Sequence, residues 1–187
     1  RGPTGVTFAR SAARSAVGIC FDATGTLIEM TEHVGDVYRK VALDFGVDLP
    51  AWRLEDAFAR VVRSAPPRGV EGFSRAEREA NERLWWSERI RQTFQATDSS
   101  ILFDDFPGFA TALFDTYRDP NMWRVRDGAH ALLEALKREH FPLALLSNFD
   151  HRLPNLLEEL ELAPFFDLTL IPSMHAERKP DRACFER

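Results

Sequence analysis

Apolar and polar positions along the chain change rhythm twice. Residues 16–22 (AVGICFD) form a short apolar run, too short and too rich in β-formers for a helix, which predicts a buried strand ending on Asp22. From Val34 the apolar positions fall at helical spacing: Val34, Val37, Tyr38, Val41, Ala42 and Phe45, with Gly46 as the stop. Leu54, Ala57, Phe58, Val61 and Val62 predict a second amphipathic helix, and SAPPRGVEGFS reads as loop from its Pro and Gly content. Ser74 and Glu77 have the spacing of a capping box, opening a third helix through Leu84, Trp85 and Ile90 toward Phe94. Residues 104–117 predict a fourth helix, with Pro107 and Gly108 near its start. Between about 32 and 118 the chain carries no strand signal.

Beyond that point the pattern becomes α/β. Asp127 is placed to cap a helix over AHALLEALKRE, and FPLALLSN reads as a strand. A Leu- and Glu-rich helix (LPNLLEELEL), a strand (FFDLTLI) and a last helix starting near Asp181 follow. Strand, long helical stretch, then helix–strand–helix–strand predicts a parallel sheet with a helical cap inserted after its first strand. The expected division is a flexible leader over 1–15, a core of 16–31 and 119–187, and a helical cap over 32–118.

A chain of 187 residues is long enough for one ordinary domain, or for a smaller one carrying a large insertion. The formal net charge of -5 supplies no basic footprint for nucleic acid, and no apolar run is long enough to span a bilayer. Cys20 and Cys184 lie far apart in apolar or helical contexts and read as reduced packing residues of an intracellular protein. The first residues (RGPTGVTFARSAARSAVG) carry arginine, serine and alanine and no acid. They read either as the tail of a mitochondrial or plastid leader or as a dispensable segment of a cytoplasmic protein. The cap and hinge tryptophans Trp85, Trp86 and Trp123 read as packing residues, and Lys40 as an exposed-face residue of its helix. His33, His130, His140, His151 and His175 show no metal-ligand grouping in sequence.

Candidate chemistry gathers at the strand ends, because open parallel sheets bind ligands outside the carboxyl ends of their strands. The first strand ends at Asp22, the strand around Leu143–Leu146 ends at Ser147 and Asn148, and the strand around Leu168–Ile171 leads into PSMHAERKPD with Lys179. A carboxylate, a hydroxyl and an ammonium are what phosphoryl transfer to an aspartate needs: a nucleophile, a donor and a counter-charge. Mg²⁺ held partly by Asp22 would let an anionic nucleophile approach an anionic substrate. Ser147 and Asn148, at a strand end beside Asp22, are expected to contact the phosphate with Lys179; their second reading is as caps of the next helix. Lysine is scarce here, with Lys40, Lys137 and Lys179 the only three among 24 basic residues. That scarcity favours a point-charge role for Lys179 at a phosphate.

FDATGTL, LLSN and KPD, in that order, resemble the first three signature motifs of the haloacid dehalogenase (HAD) superfamily, and the resemblance runs from about Val17 onward. RLWWSERIRQTF, WRVRDGA, LALLSNFDHRL and FFDLTLIPS are similar to the same family's C1-capped members. The resemblance implies a Rossmann-like core with an inserted cap, Asp22 as nucleophile, Mg²⁺ on the Asp22 carboxylate and Thr24 carbonyl, and Ser147 with Lys179 on the phosphoryl group. The expected function is a Mg²⁺-dependent phosphatase of small phosphorylated metabolites, working through an aspartyl-phosphate. The alternative is a HAD fold of weak or lost catalysis serving as a binding or regulatory protein; a dehalogenase is a third reading.

Two departures bear on that expectation. Active phosphatases of the superfamily carry Asp where this chain has Thr24, whose hydroxyl does no acid–base work near neutral pH; such help is worth ~10²–10⁴-fold. Thr24 reads instead as a turn residue making a local hydrogen bond. The acidic fourth motif has no counterpart after Lys179, since Asp181 and Glu186 belong to the last predicted helix, so an incomplete Mg²⁺ site and sheet are expected. Met174, His175 and Ala176 stand where relatives often carry Glu-Val-Gly.

Overall fold

The computed structural model describes residues 18–68, 74–175 and 178–185. The leader over 1–15 and the first residues of the opening strand lie outside the described residues. In chain order the strands are β1 (Ile19–Phe21), β2 (Ile28–Met30), β3 (Trp123–Val125), β4 (Leu143–Leu146) and β5 (Leu168–Leu170). The helices are α1 (Val34–Leu43), α2 (Ala51–Ser64), α3 (Arg75–Thr97), α4 (Phe106–Thr116), α5 (Ala129–Arg138), α6 (Leu153–Glu159) and the single turn α7 (Pro172–His175). Three strands form a parallel sheet in the order β1-β4-β5, with helices packed on it. Its register sets Phe21 opposite Leu145 and Leu146 opposite Leu170, so all three carboxyl ends open at one edge.

A second, antiparallel sheet pairs β2 with β3, Ile28 opposite Val125 and Met30 opposite Trp123. Sequence reading misses it because three-residue strands are too short to show an alternating pattern. A turn at Ala23–Ile28 leads from β1 into β2, with Leu27 and Ile28 donating backbone hydrogen bonds to the Ala23 carbonyl at 2.8 and 3.1 Å. Gly25 takes φ +80° there, a left-handed conformation that glycine adopts without steric cost. The β2–β3 pair brackets the helical stretch, so the chain enters α1 and leaves α4 beside the same strands.

α1 and α2 bury the faces their spacing predicts, whereas α3 buries Ile90 and Phe94 but leaves Leu84 exposed. Tyr38, Phe94, Phe103 and Phe109 form a ring cluster, Phe94 edge-on to Phe109 at 5.0 Å and Phe103 stacked on Phe109 at 4.3 Å. This cluster is continuous with Leu133, Leu145 and Leu156 around the parallel sheet. α1 and α2 approach so closely that a Cβ on Gly35 would lie 2.0 Å from the Ala51 carbonyl oxygen. Gly35→Ala should therefore push the helix pair apart and lower stability by about 1–3 kcal/mol, the usual cost of overpacking. A urea midpoint equal to wild type would refute that contact.

Local signals fare unevenly. Ser74 and Glu77 do form a capping box, with Ser74 N–H donating to Glu77 Oε2 at 2.8 Å. Pro107 and Gly108 lie in the first turn of α4, where Asp105 accepts from Gly108 N–H at 2.9 Å; proline loses nothing at that place because first-turn N–H groups have no helical partner. Asp127 is not a cap: Gly128, at φ +82°, holds the N-cap position of α5, and no side chain caps it. The helix expected near Asp181 is a short 3₁₀ turn, Arg182–Phe185. Cys184 is buried as expected, but Cys20 is exposed, the central residue of β1 turning to the opposite face from its two half-buried neighbours.

Candidate active site

The strand ends bring four of the expected residues together. Asp22 leaves β1 with Oδ1 accepting from the Ala23 N–H at 2.8 Å and from Lys179 Nζ at 2.8 Å. Lys179 reaches it from the loop after α7, held by two hydrogen bonds to one side chain. Its N–H donates to Asn148 Oδ1 at 2.7 Å, and its carbonyl accepts from Asn148 Nδ2 at 2.9 Å. Asn148 is thus a clamp for the lysine loop. Ser147 is buried, its N–H extending the ladder to the Leu170 carbonyl and its Oγ accepting from Phe149 N–H at 3.2 Å. Neither residue caps α6, whose N-cap position is Arg152.

Thr24 sits exposed in the turn beyond Asp22, bridged to Ile28. Among the described residues its hydroxyl has no hydrogen-bond partner, so the expected side-chain bond is absent and backbone groups close the turn. Asp22, Thr24, Ser147, Asn148 and Lys179 all line one cavity of about 470 Å³. Its remaining wall is mainly aromatic and aliphatic, from Tyr38, Phe58, Val62, Trp85, Trp123 and Phe149.

Lining the same cavity is a charged network with little signal in the local sequence pattern. Asp150 is 1% exposed and accepts from Arg152 Nε at 2.8 Å, Arg152 Nη2 at 2.5 Å and Trp86 Nε1 at 2.8 Å. Arg152 also donates to the Phe114 carbonyl at 2.8 Å and lies over the Phe114 ring at 3.9 Å. Burial by itself would raise the Asp150 carboxyl; the hydrogen bond and charge of Arg152, then the charge of Arg68, outweigh it and hold the carboxyl below its ordinary range. Arg68 donates to the Asn148 carbonyl and lies over Trp85 and Trp86, with Nη1 buried and without a hydrogen-bond partner. Beside the network, buried Glu82 accepts from the backbone N–H of His151 at 3.1 Å and pairs with its Nδ1 at 2.8 Å. Trp86 is therefore more than the packing residue its spacing suggests. The run FDHR just after the β4 strand end was the one available sign of this network.

Two oxygen-rich places are candidates for a cation. Glu82, Asp150 and His151 bring their ligand atoms within 4.8 Å of one another, a grouping of His151 that sequence spacing does not reveal. Its donors do not suit a metal, because Asp150 is taken by Arg152 and Trp86, and His151 Nδ1 by Glu82. At the strand edge, Asp22 Oδ2 and the Thr24 carbonyl accept no protein hydrogen bond among the described residues. Two hard oxygen donors there fit a Mg²⁺ that keeps water and substrate oxygens for the rest of its shell.

A parallel sheet with a helical stretch after its first strand, and a carboxylate facing a lysine at the strand ends, define a class of α/β protein. The chain belongs to the haloacid dehalogenase-like hydrolase family, which it matches over residues 17–187. It is 28% identical over 172 residues to haloacid dehalogenase-like hydrolase domain-containing protein 3 of Bos taurus, covering 89% of this chain and 65% of that protein. This chain thus spans just under two thirds of that relative. Among solved structures it resembles a predicted phosphoglycolate phosphatase from Haemophilus somnus 129pt, with TM-score 0.62, 18% identity, and 91% of this chain and 68% of that one covered. It also resembles the L-2-haloacid dehalogenase of Xanthobacter autotrophicus, with TM-score 0.59, 19% identity, and 89% and 61% covered. These likenesses establish the HAD fold. Among the described residues no helix is long and apolar enough to cross a membrane.

Proposed function

We propose that this chain carries the site of a phosphoric monoester hydrolase for small phosphorylated molecules, with Asp22 as nucleophile. The observation that carries the reading is Lys179 Nζ at 2.8 Å from Asp22 Oδ1, with Ser147 buried at the neighbouring strand end. In the first step the Asp22 carboxylate forms a bond to phosphorus while the ester P–O bond breaks, its electron pair leaving with the departing oxygen. Lys179 balances charge on the phosphoryl oxygens, and the Ser147 hydroxyl donates to one of them. Water then attacks the aspartyl-phosphate, releasing orthophosphate, a proton and the free carboxylate. Mg²⁺ on Asp22 and the Thr24 carbonyl would supply further charge neutralisation. The helical stretch 32–118 would act as a cap that shields the site from water and shapes the cavity.

Thr24 gives the departing oxygen no acid and the attacking water no base, so turnover through the second step is slow and the phosphorylated aspartate accumulates. Incubation with a phosphate ester and Mg²⁺, followed by acid quench and peptide mass spectrometry, should show one phosphoryl group on Asp22, absent from Asp22→Asn and after chelation. A wild-type chain that carries no label and releases no more phosphate than Asp22→Asn would overturn the reading. The same threonine favours the second reading, a binding or regulatory HAD protein that takes the phosphorylated ligand and turns it over poorly or not at all.

A further inference from the structure

We propose that the cavity selects aryl phosphate monoesters, esters whose phosphate is carried on an aromatic ring. This rests on the hydrolase reading above and adds the class of substrate. Two independent observations converge on it. The first is the lining of the cavity that holds the Asp22–Lys179 pair: beside the charged Arg68, Asp150 and Arg152, most of it is aromatic and aliphatic surface from Tyr38, Phe58, Val62, Trp85, Trp123 and Phe149. A polyol such as a sugar phosphate would bury most of its hydroxyls against apolar surface, with Arg68 and the Tyr117 hydroxyl among the few groups able to pair with them, a cost of about 1–3 kcal/mol for each one left unpaired. An aromatic ring meets the same wall with favourable burial and edge or stacked ring contacts. The cavity volume, about 470 Å³, is also of the size that encloses a small molecule rather than a protein segment.

The second observation is chemical. With Thr24 in place of an acid, the departing oxygen must leave as an anion. A phenolate, whose conjugate acid titrates near ~10 as a tyrosine does, leaves readily without a proton. An aliphatic alkoxide, comparable to hydroxide with a parent near ~15.7, needs a proton during bond cleavage. As Asp22 forms its bond to phosphorus, the aryl P–O bond breaks with both electrons on the phenolate, which then takes a proton from bulk water. The same threonine that slows alkyl esters leaves aryl esters as the reactive class.

The test is a pair of stable analogues, phenylphosphonate and methylphosphonate, titrated against the full chain with Mg²⁺ while following tryptophan fluorescence, since Trp85, Trp86 and Trp123 line the cavity. The phenyl analogue should bind about tenfold tighter or better, from the apolar area its ring buries. Val62→Asn, an uncharged polar change at a half-exposed position of the cavity wall on α2, should remove most of that preference, read as the ratio of the two affinities. Equal affinity of wild type for the two analogues would overturn the inference, and that comparison depends on no variant folding. Phenyl phosphate and ethyl phosphate are then compared as substrates. Preference for the phenyl analogue together with faster release of phosphate from phenyl phosphate supports both readings. The same binding preference with no turnover of either ester keeps the ligand class and removes the hydrolase. Equal binding with turnover of both esters keeps the hydrolase and removes the class.

Discussion

Thr24→Asp should raise steady-state phosphate release from alkyl phosphate esters by ~10²–10⁴-fold, the span that general acid–base help contributes. The new carboxylic acid would stand two residues beyond Asp22, at an exposed position whose hydroxyl has no hydrogen-bond partner among the described residues, so the substitution removes no side-chain hydrogen bond. It would protonate the departing oxygen in the first step and take a proton from the attacking water in the second. The gain should be largest with ethyl phosphate, whose alkoxide needs the proton, and smaller with phenyl phosphate. It should also abolish the accumulation of phosphorylated Asp22 after acid quench. An unchanged rate with both esters, in a variant of wild-type stability, would mean that proton transfer does not limit this site.

The second large effect lies in stability. Asp150→Asn leaves the buried Arg152 guanidinium without a counter-charge and should cost about 3–5 kcal/mol at pH 7, measured by urea denaturation. Because the folded carboxyl titrates below its ordinary value, its stabilisation is fully present above the unfolded carboxyl value near ~3.9 and is lost as pH falls through the lower folded value. The gap between wild type and Asp150→Asn should therefore narrow on acidification below about pH 4. A double variant, Asp150→Leu with Arg152→Met, should recover part of the loss, since it removes the unbalanced Arg152 charge while Trp86 Nε1, Arg68 and the Phe114 carbonyl still lose their partners. Asp150→Asn with the wild-type urea midpoint at pH 7 would show that Arg152 finds its balance elsewhere.

The candidate site is legible in sequence to an unusual depth because each of its parts ends a locally patterned element. Asp22, Ser147 and the approach to Lys179 all follow apolar strand runs, and parallel pairing of those strands is enough to put their ends at one edge. Asn148 is expected at the phosphate from its place at a strand end, and the fold also gives its side chain a clamp on the lysine loop through both backbone groups of Lys179. That bond joins positions 31 residues apart, and no periodicity reports it. The β2–β3 pair escaped for a related reason, since three residues per strand carry too little pattern and their pairing spans the whole helical stretch.

By itself the sequence determined the order of the parallel strands and most of the helices, the buried faces of α1 and α2, and which carboxylate and lysine follow the strand runs. Those features follow from spacing within a few residues, where helix and strand geometry act directly on the pattern of apolar side chains. Tertiary structure alone decided the exposure of Cys20, the aromatic wall of the cavity, and the buried charges that line it. Trp86 meets Asp150 across 64 residues and Glu82 meets His151 across 69. Such partners are chosen by which surfaces pack together: a buried charge survives only where packing supplies its opposite, and that pairing is made in space between segments that are remote along the chain.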